Sequence, residues 1–309
     1  MANLGYIQVS RSCNQNCAFC SNPPSDAVQT LQAACEQVRH LLEAGYDGVI
    51  LTGGEPTLCE FLPELIRYAA TQGLPARMIT NGQLTADHAL LKSYVDAGLD
   101  QMHVSLHSCR DEVQARLSDN PESLTNLRAT LCHAASLGLP VDVNTVINRE
   151  NADHLHETVR FLIEQHPEVK HFVFNNIDPR QNRASEHREI IAQPWQFEVS
   201  LNRAMSRLAA AGRTFRVERV PLCYMAEFAH CSTEARKIAK GEERTVFFLD
   251  AKGEVRQTEW RYAKAEVCES CTLNALCPGL FEGGEYYDLA QLSAVFVDAN
   301  AVRRRILGV

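Results

Sequence analysis

Three closely spaced cysteines near the start of the chain are the residues best suited to chemistry. Cys13, Cys17 and Cys20 lie on one short loop after an apolar stretch. Three thiolates on such a loop can each bind a different iron of a cubane [4Fe–4S] cluster and leave one iron open for a small molecule. A structural zinc ion needs four protein ligands, and no further His or Cys lies nearby. The spacing therefore favours an iron–sulfur site with an open iron.

A second motif follows the next predicted strand. Residues 52–57 read TGGEPT, with adjacent glycines at Gly53 and Gly54 and a carboxylate at Glu55. Glycines allow the backbone to approach a ligand closely. The motif is also compatible with a simple tight turn. A glutamate at a strand end that faces an open iron is, however, suited to bind an amino group.

Together the two motifs resemble the radical S-adenosyl-L-methionine (SAM) superfamily over about residues 1–177, with Phe19 at the aromatic position before the third cysteine. The resemblance implies that the open iron binds SAM, that Glu55 holds its amino group, and that Phe19 packs near adenine. Gly53 and Gly54 are expected to belong to the cofactor site as well, because they let the backbone approach the ligand closely. It also implies an enzyme that reductively cleaves SAM to a 5′-deoxyadenosyl radical, which abstracts a substrate hydrogen. A reduced flavodoxin or ferredoxin is the expected electron donor.

The surrounding sequence alternates between strand and helix patterns up to about residue 176. The strand candidates are residues 6–10, 48–52, 76–80, 101–106, 141–146 and 170–175. Amphipathic helical patterns separate them. Six such repeats predict an α/β fold, a partial (β/α)6 TIM-like barrel whose functional loops lie at the carboxyl ends of the strands.

Strand periodicity adds candidates inside this barrel. Polar residues share one face of the fourth strand: Gln101, His103, Ser105 and His107. Asp142 and Asn144 share a face of the fifth strand in the same way, and these polar faces should line the lumen. In the radical SAM family the position of Ser105 often contacts SAM, and we expect Asn144 to do so as well. We expect His103 to be a hydrogen-bonded barrel residue, whereas His107 lies at the mouth, where it could contact cofactor or substrate.

A second group of cysteines lies near the end of the chain, at Cys268, Cys271 and Cys277. The pattern resembles the auxiliary-cluster domains called SPASM or, when shorter, twitch, over about residues 221–290. Thr258 and Phe281 stand where the full pattern has cysteines, which implies one auxiliary [4Fe–4S] cluster. We expect Cys223 to be its fourth ligand, with Cys231 as the alternative. Zinc stays open as an alternative metal, because four thiolates also suit zinc.

These patterns predict two domains. Residues 1–220 should form the barrel with a connecting helix at about 195–211. Residues 221–309 should form a small α+β auxiliary-cluster domain with a β-hairpin turn at 250–253 and a final helix at 289–306. The other cysteines fit helix faces, where cysteine acts as a small hydrophobe, except that Cys109 follows the fourth strand at the active end.

Composition narrows the function classes. The chain has 309 residues and a net charge of −8, which disfavours nucleic acid as a partner because phosphates require a basic surface. No apolar run approaches the roughly 18 residues of a membrane span, and the start of the sequence lacks the pattern of a signal peptide. Clustered cysteines in such a chain favour metal binding in a reducing cytoplasm over disulfides.

Three functions remain open. The first is oxidation or bond formation on a peptide or small metabolite, with the auxiliary cluster accepting an electron or holding the substrate. The second is a redox-neutral epimerase, in which a cysteine donates the returning hydrogen atom. The third is a non-catalytic iron–sulfur electron carrier or zinc module. This function is the least favoured of the three, because it does not require an open iron beside residues 52–57.

Overall fold

The computed structural model describes residues 3–180, 183–242, 245–249, 252–256 and 262–309. Two features predicted above, Thr258 and the first half of the hairpin turn at Asp250 and Ala251, lie outside these residues. No helix within the described ranges is both long and apolar enough to cross a membrane.

The secondary structure alternates as predicted. The strands are β1 (Leu4–Ser10), β2 (Gly48–Gly53), β3 (Ala76–Thr80), β4 (Leu99–Ser105), β5 (Val141–Ile147), β6 (His171–Asn176), β7 (Thr214–Glu218), β8 (Thr245–Phe247), β9 (Glu254–Arg256), β10 (Tyr262–Ala263) and β11 (Leu280–Phe281). The helices are α1 (Leu31–Glu43), α2 (Leu62–Thr71), α3 (His88–Asp96), α4 (Asp111–Ser118), α5 (Ser123–Ser136), α6 (Leu155–Gln165), α7 (Arg183–Glu186), α8 (Pro194–Ala210), α9 (Thr233–Lys240) and α10 (Ala299–Leu307).

The main sheet has nine strands in the order β7-β6-β5-β4-β3-β2-β1-β8-β9. Strands β1 to β7 are parallel, β8 pairs in parallel with β1, and only β9 is antiparallel. Together with the helices, this sheet confirms the predicted α/β partial barrel. The sheet also extends past the six predicted strands, because β7 is added at one edge and the β8–β9 hairpin joins at the other.

Strand parity determines which side chains face the lumen. Met102, Val104 and Leu106 are fully buried in the core between the sheet and the helices, so the alternate polar residues of β4 face inward. Helices α1, α3, α9 and α10 begin at polar caps. At α1, for example, Thr30 Oγ1 accepts a hydrogen bond from Ala33 N at 3.2 Å. The predicted orientation of β4 is therefore correct.

The predicted single helix at 289–306 is wrong. A short 3₁₀ turn (Leu289–Gln291) is followed by an extended segment, and α10 begins only after Asp298. The carboxylate of Asp298 accepts hydrogen bonds from the backbone of the first turn, which caps the helix there. The extended segment is fixed by Thr272, whose hydroxyl accepts a hydrogen bond from Val297 N at 2.9 Å.

Candidate functional site

The cysteine loop and the glycine loop pack against each other. Gly54 N donates to Ser10 O, and Glu55 N donates to Ser12 O, both at 2.7 Å. A Cβ atom on Gly53 would lie 2.0 Å from Ser10 O, and one on Gly54 would lie 2.2 Å from Ser12 O. Gly53 also has a φ of +142°. The glycines are therefore required by the approach of the cysteine loop itself.

A cavity of about 250 Å³ opens at the carboxyl ends of the barrel strands. The residues predicted for the first site all line it: Cys13, Cys17, Phe19, Cys20, Gly53, Gly54, Glu55, Ser105, His107 and Asn144. The cavity joins three thiols to a wall of polar side chains, as binding of a cluster and a polar cofactor beside it would require.

Glu55 is held in one orientation. Its Oε1 accepts hydrogen bonds from Thr57 N at 3.1 Å and from the hydroxyls of Thr57 and Thr80 at 2.7 Å. Its Oε2 accepts from Asn81 N at 2.7 Å. Burial raises the pKa of Glu55, and these hydrogen bonds oppose the rise. A carboxylate oxygen can accept more than one donor, so Oε2 can still receive an amino group from the cavity.

His107 forms the aromatic side of the same cavity. Its ring meets Phe19 edge to face, with centroids 4.8 Å apart, and its Nδ1 accepts a hydrogen bond from Val146 N at 3.2 Å. Burial lowers the pKa of His107 to about 4. The ring is therefore neutral, with its proton on Nε2.

The loop thiols resist ionisation. Burial, followed by the neighbouring sulfurs of Cys20 and Cys13, raises the pKa of Cys17 to about 12. The guanidinium of Arg183 opposes this rise and donates to Cys17 O at 3.3 Å. Metal binding must displace these protons, which is the usual coupling between thiolate ligation and proton release.

The late cysteines form a second site. Cys223, Cys268, Cys271 and Cys277 all line one cavity of about 20 Å³. Burial raises the pKa of Cys223, and the neighbouring Cys268 adds to the rise. Cys231 lines a different groove, next to Phe228 and Arg305. Of the two candidates for a fourth ligand, only Cys223 is brought to the three late cysteines.

The two cysteine sites are connected through one apolar cluster. Cys17 and Phe19 belong to it on the barrel side, and Cys223 and Cys268 on the other. Across the same junction, Arg180 donates to both carboxylate oxygens of Glu282 at 2.9 and 2.8 Å and to Glu285 at 2.7 Å. The segment around α7 therefore contacts the C-terminal region through Arg180 and the cysteine loop through Arg183.

Sequence reasoning missed three polar residues at this site. Asn81 Nδ2 lies 3.8 Å from Cys13 Sγ, Asn175 donates to Asn144 Oδ1, and Arg183 contacts the cysteine loop. Asn81 and Asn175 lie at the carboxyl ends of β3 and β6, so strand parity could have identified them. No local pattern marks Arg183, which reaches the loop from a distant segment.

Comparison with curated proteins finds partial relatives. The PqqA peptide cyclase of Xanthomonas oryzae pv. oryzae is 28% identical over 162 residues, which are 51% of this chain and 43% of the cyclase. The probable GTP 3',8-cyclase of Metallosphaera sedula is 31% identical over 177 residues, 52% of this chain and 55% of that protein. The chain therefore matches only about half the length of these relatives.

Solved structures share the fold over most of the chain. SuiB of Streptococcus suis bound to S-adenosylmethionine aligns with a TM-score of 0.64 and 16% identity, covering 89% of this chain and 72% of SuiB. Native anSMEcpe with bound AdoMet and Kp18Cys peptide aligns with a TM-score of 0.64 and 13% identity, covering 99% of this chain and 96% of anSMEcpe.

The family profile for the radical SAM superfamily matches residues 7–162. This region contains the cysteine loop, the glycine loop and the first five strands, which together form the cavity described above. Members of the family use a [4Fe–4S] cluster and SAM. The match extends over half of the sequence, and the chain belongs to the radical SAM superfamily.

Proposed function

We propose that this protein is a radical SAM enzyme that modifies a peptide substrate by oxidation or bond formation, and that it carries one auxiliary [4Fe–4S] cluster. The observation that carries the proposal is the separation of seven cysteines into two sites. Three line an open polar cavity, and four line a small cavity of their own.

At the first site, Cys13, Cys17 and Cys20 would hold the cluster, and Glu55 would orient the amino group of SAM. When bound and reduced by flavodoxin or ferredoxin, the cluster supplies the electron that cleaves SAM. Ser105 and Asn144 offer hydrogen bonds to the polar parts of the cofactor. Phe19 and the neutral His107 would exclude water from the reacting atoms.

At the second site, a cluster is supported over zinc by the arrangement of the thiols. No three Cys, His, Asp or Glu side chains among the residues described here are arranged to hold a single metal ion. A cubane spreads its ligands over separate irons, so it suits thiols that line one cavity without converging on a point. Four protein ligands leave no open iron.

The same arrangement weakens the epimerase alternative. A hydrogen-donating cysteine must be a thiol close to the substrate. Of the described cysteines, only Cys13, Cys17 and Cys20 line the mouth cavity. Cys223 lies in the second site, and the amide of Cys109 is bonded to Thr158 outside the mouth.

A peptide substrate is supported by the relatives. Their names include a peptide cyclase, SuiB bound to precursor peptide SuiA, and anSMEcpe bound to peptides. A small metabolite is the second candidate, because the GTP cyclase is also similar.

The test uses anaerobically reconstituted protein. We expect about eight irons per chain, as two cubanes require, and formation of 5′-deoxyadenosine from SAM and dithionite. A defined pool of synthetic peptides with deuterated residues should transfer deuterium into 5′-deoxyadenosine, whereas the same deuterated amino acids unlinked should not. An iron content of only four, or deuterium transfer from neither pool, would contradict the proposal.

A further inference from the structure

The opposite end of the barrel lumen contains a second polar cavity, of about 220 Å³. It lies at the amino-terminal ends of the parallel strands. Its walls include side chains from strands β1 to β7 and from α9, among them Arg77 on β3, His103 on β4, Asp142 on β5, His171 on β6 and Arg216 on β7. A water needs only about 10–15 Å³, so this space can hold a small polyatomic ligand.

The charge around this cavity is positive in an acidic protein. A groove of about 470 Å³ continues from it along β7 and shares Arg216 and Arg236 with it. Arg213 and Arg305 also line the groove, and no carboxylate is among its described lining residues. Inside the cavity the carboxylates are Asp142 and Glu242, and Glu242 is already paired with Arg236.

Two buried polar atoms in the cavity lack protein partners. Neither Arg216 Nε nor His103 Nε2 has a hydrogen bond to any residue in the described part of the chain. His103 is only 7% exposed. Buried polar groups are nearly always hydrogen-bonded, so both atoms point to a ligand that the protein itself does not provide.

The protonation state of His103 determines which kind of hydrogen-bonding group the ligand must present to it. Its Nδ1 faces Asp142 Oδ2 at 3.3 Å. Burial raises the pKa of Asp142 to about 6, so Asp142 is ionised at neutral pH and Nδ1 carries the proton. Burial, with Arg216 and Arg77, lowers the pKa of His103 to about 3. His103 Nε2 is therefore an acceptor, whereas Arg216 is a donor.

We propose that this cavity binds an oxyanion of the phosphate class, with Arg216 and Arg77 donating to its oxygens and its hydroxyl donating to His103 Nε2. A phosphate carries both kinds of group at neutral pH, whereas sulfate has only acceptors. Inorganic phosphate fits this chemistry directly, and a phosphate monoester fits it as the monoanion, whose remaining hydroxyl has a pKa of about 6. The groove offers room for the remainder of a monoester. The bound anion would join β3, β4 and β7 across the lumen.

Calorimetric titration of the reconstituted holoenzyme at constant ionic strength tests the proposal. We expect phosphate to bind more tightly than sulfate. R216Q should weaken phosphate binding about 10- to 100-fold, as expected for a lost charge-assisted hydrogen bond. H103A should abolish the preference for phosphate over sulfate. R39Q, on an exposed part of α1, is the matched control and should change nothing.

Further measurements distinguish a phosphate monoester from free phosphate and name the results that would overturn the proposal. Glycerol phosphate binding at least as tightly as phosphate would identify a monoester as the ligand, and binding of phosphate alone would identify the free ion. No detectable phosphate binding, or unchanged affinity in R216Q, would overturn the proposal. If R216Q or H103A does not fold, R305Q at the exposed rim of the groove should still weaken binding several-fold. Cysteine substitutions at the first site should leave phosphate binding intact, so this test does not depend on the proposed enzymatic function.

Discussion

The two cysteine sites use the same ligand type in opposite surroundings. The first offers three thiols to a cavity lined with polar groups, including Glu55, Ser105 and Asn144. The second offers four thiols within a small cavity whose walls include Leu222 and Leu292. The two sites therefore differ both in the number of thiols and in the polarity of the cavity wall around them. Polar side chains line the cavity beside the three thiols, whereas the small cavity between the four thiols is bounded in part by leucines.

Removal of a thiol from the first site should have the largest effect. C17A, like C13A or C20A, should abolish 5′-deoxyadenosine formation and remove about four of eight irons. The measurement is product formation by chromatography together with iron analysis. C132A removes an exposed cysteine and is the matched control. Undiminished turnover in a loop variant would refute the role of these three residues.

The corresponding change at the second site should have a more limited effect. C223A should lose about four irons and destabilise the C-terminal region, because a missing ligand exposes the cluster, while SAM cleavage at the first site continues. C231A should keep the full iron content, since Cys231 lines a separate groove. Iron analysis and limited proteolysis distinguish the two. Full iron content in C223A would favour the epimerase alternative.

A smaller effect is expected when the polar wall alone is changed. E55Q should weaken SAM binding roughly 10- to 150-fold with both clusters assembled, because a charge-assisted hydrogen bond contributes about 1.5–3 kcal/mol. E60Q removes an exposed carboxylate nearby and should bind SAM normally. Equal affinities in an equilibrium titration would mean that Glu55 serves only to hold the loop through Thr57, Thr80 and Asn81.

The smallest expected effect concerns the pH dependence of stability. The pKa of His107 falls from 6.5 to about 4 on folding, so the unfolded chain binds more protons between these values and stability decreases as the pH falls through them. From pH 7 to pH 6 the loss due to His107 should be about 0.7 kcal/mol. H107Q should lose correspondingly less stability in anaerobic denaturant titrations, whereas the exposed variant H187Q should behave as wild type. Identical pH dependences in H107Q and wild type would show that His107 is not buried neutral.

The sequence predicted the barrel well because its signals are local. Alternation along β4 assigned Ser105 and His107 to the lumen, and the spacing of the cysteines marked the two groups that line separate cavities. Contacts between distant segments were not predictable in this way. Arg183 reaches the cysteine loop from α7, and the hairpin expected in the C-terminal unit pairs with β1 instead. The error at 289–306 arose because Asp298 caps α10 and competes with the apolar periodicity before it.

The position of β8 has a consequence for the order of biosynthesis. Strand β1 leads directly into the cysteine loop, yet one of its two edges is paired only by β8, and Gln8 accepts a hydrogen bond from Leu249, 241 residues later. At ribosomal speeds this interval lasts roughly 10–50 s. During that time a nascent chain presents an open strand edge beside three oxygen-sensitive thiols. The time at which a cluster enters the cysteine loop, before or after β8 is synthesised, therefore determines whether it enters a loop whose preceding strand is paired on one edge or on both.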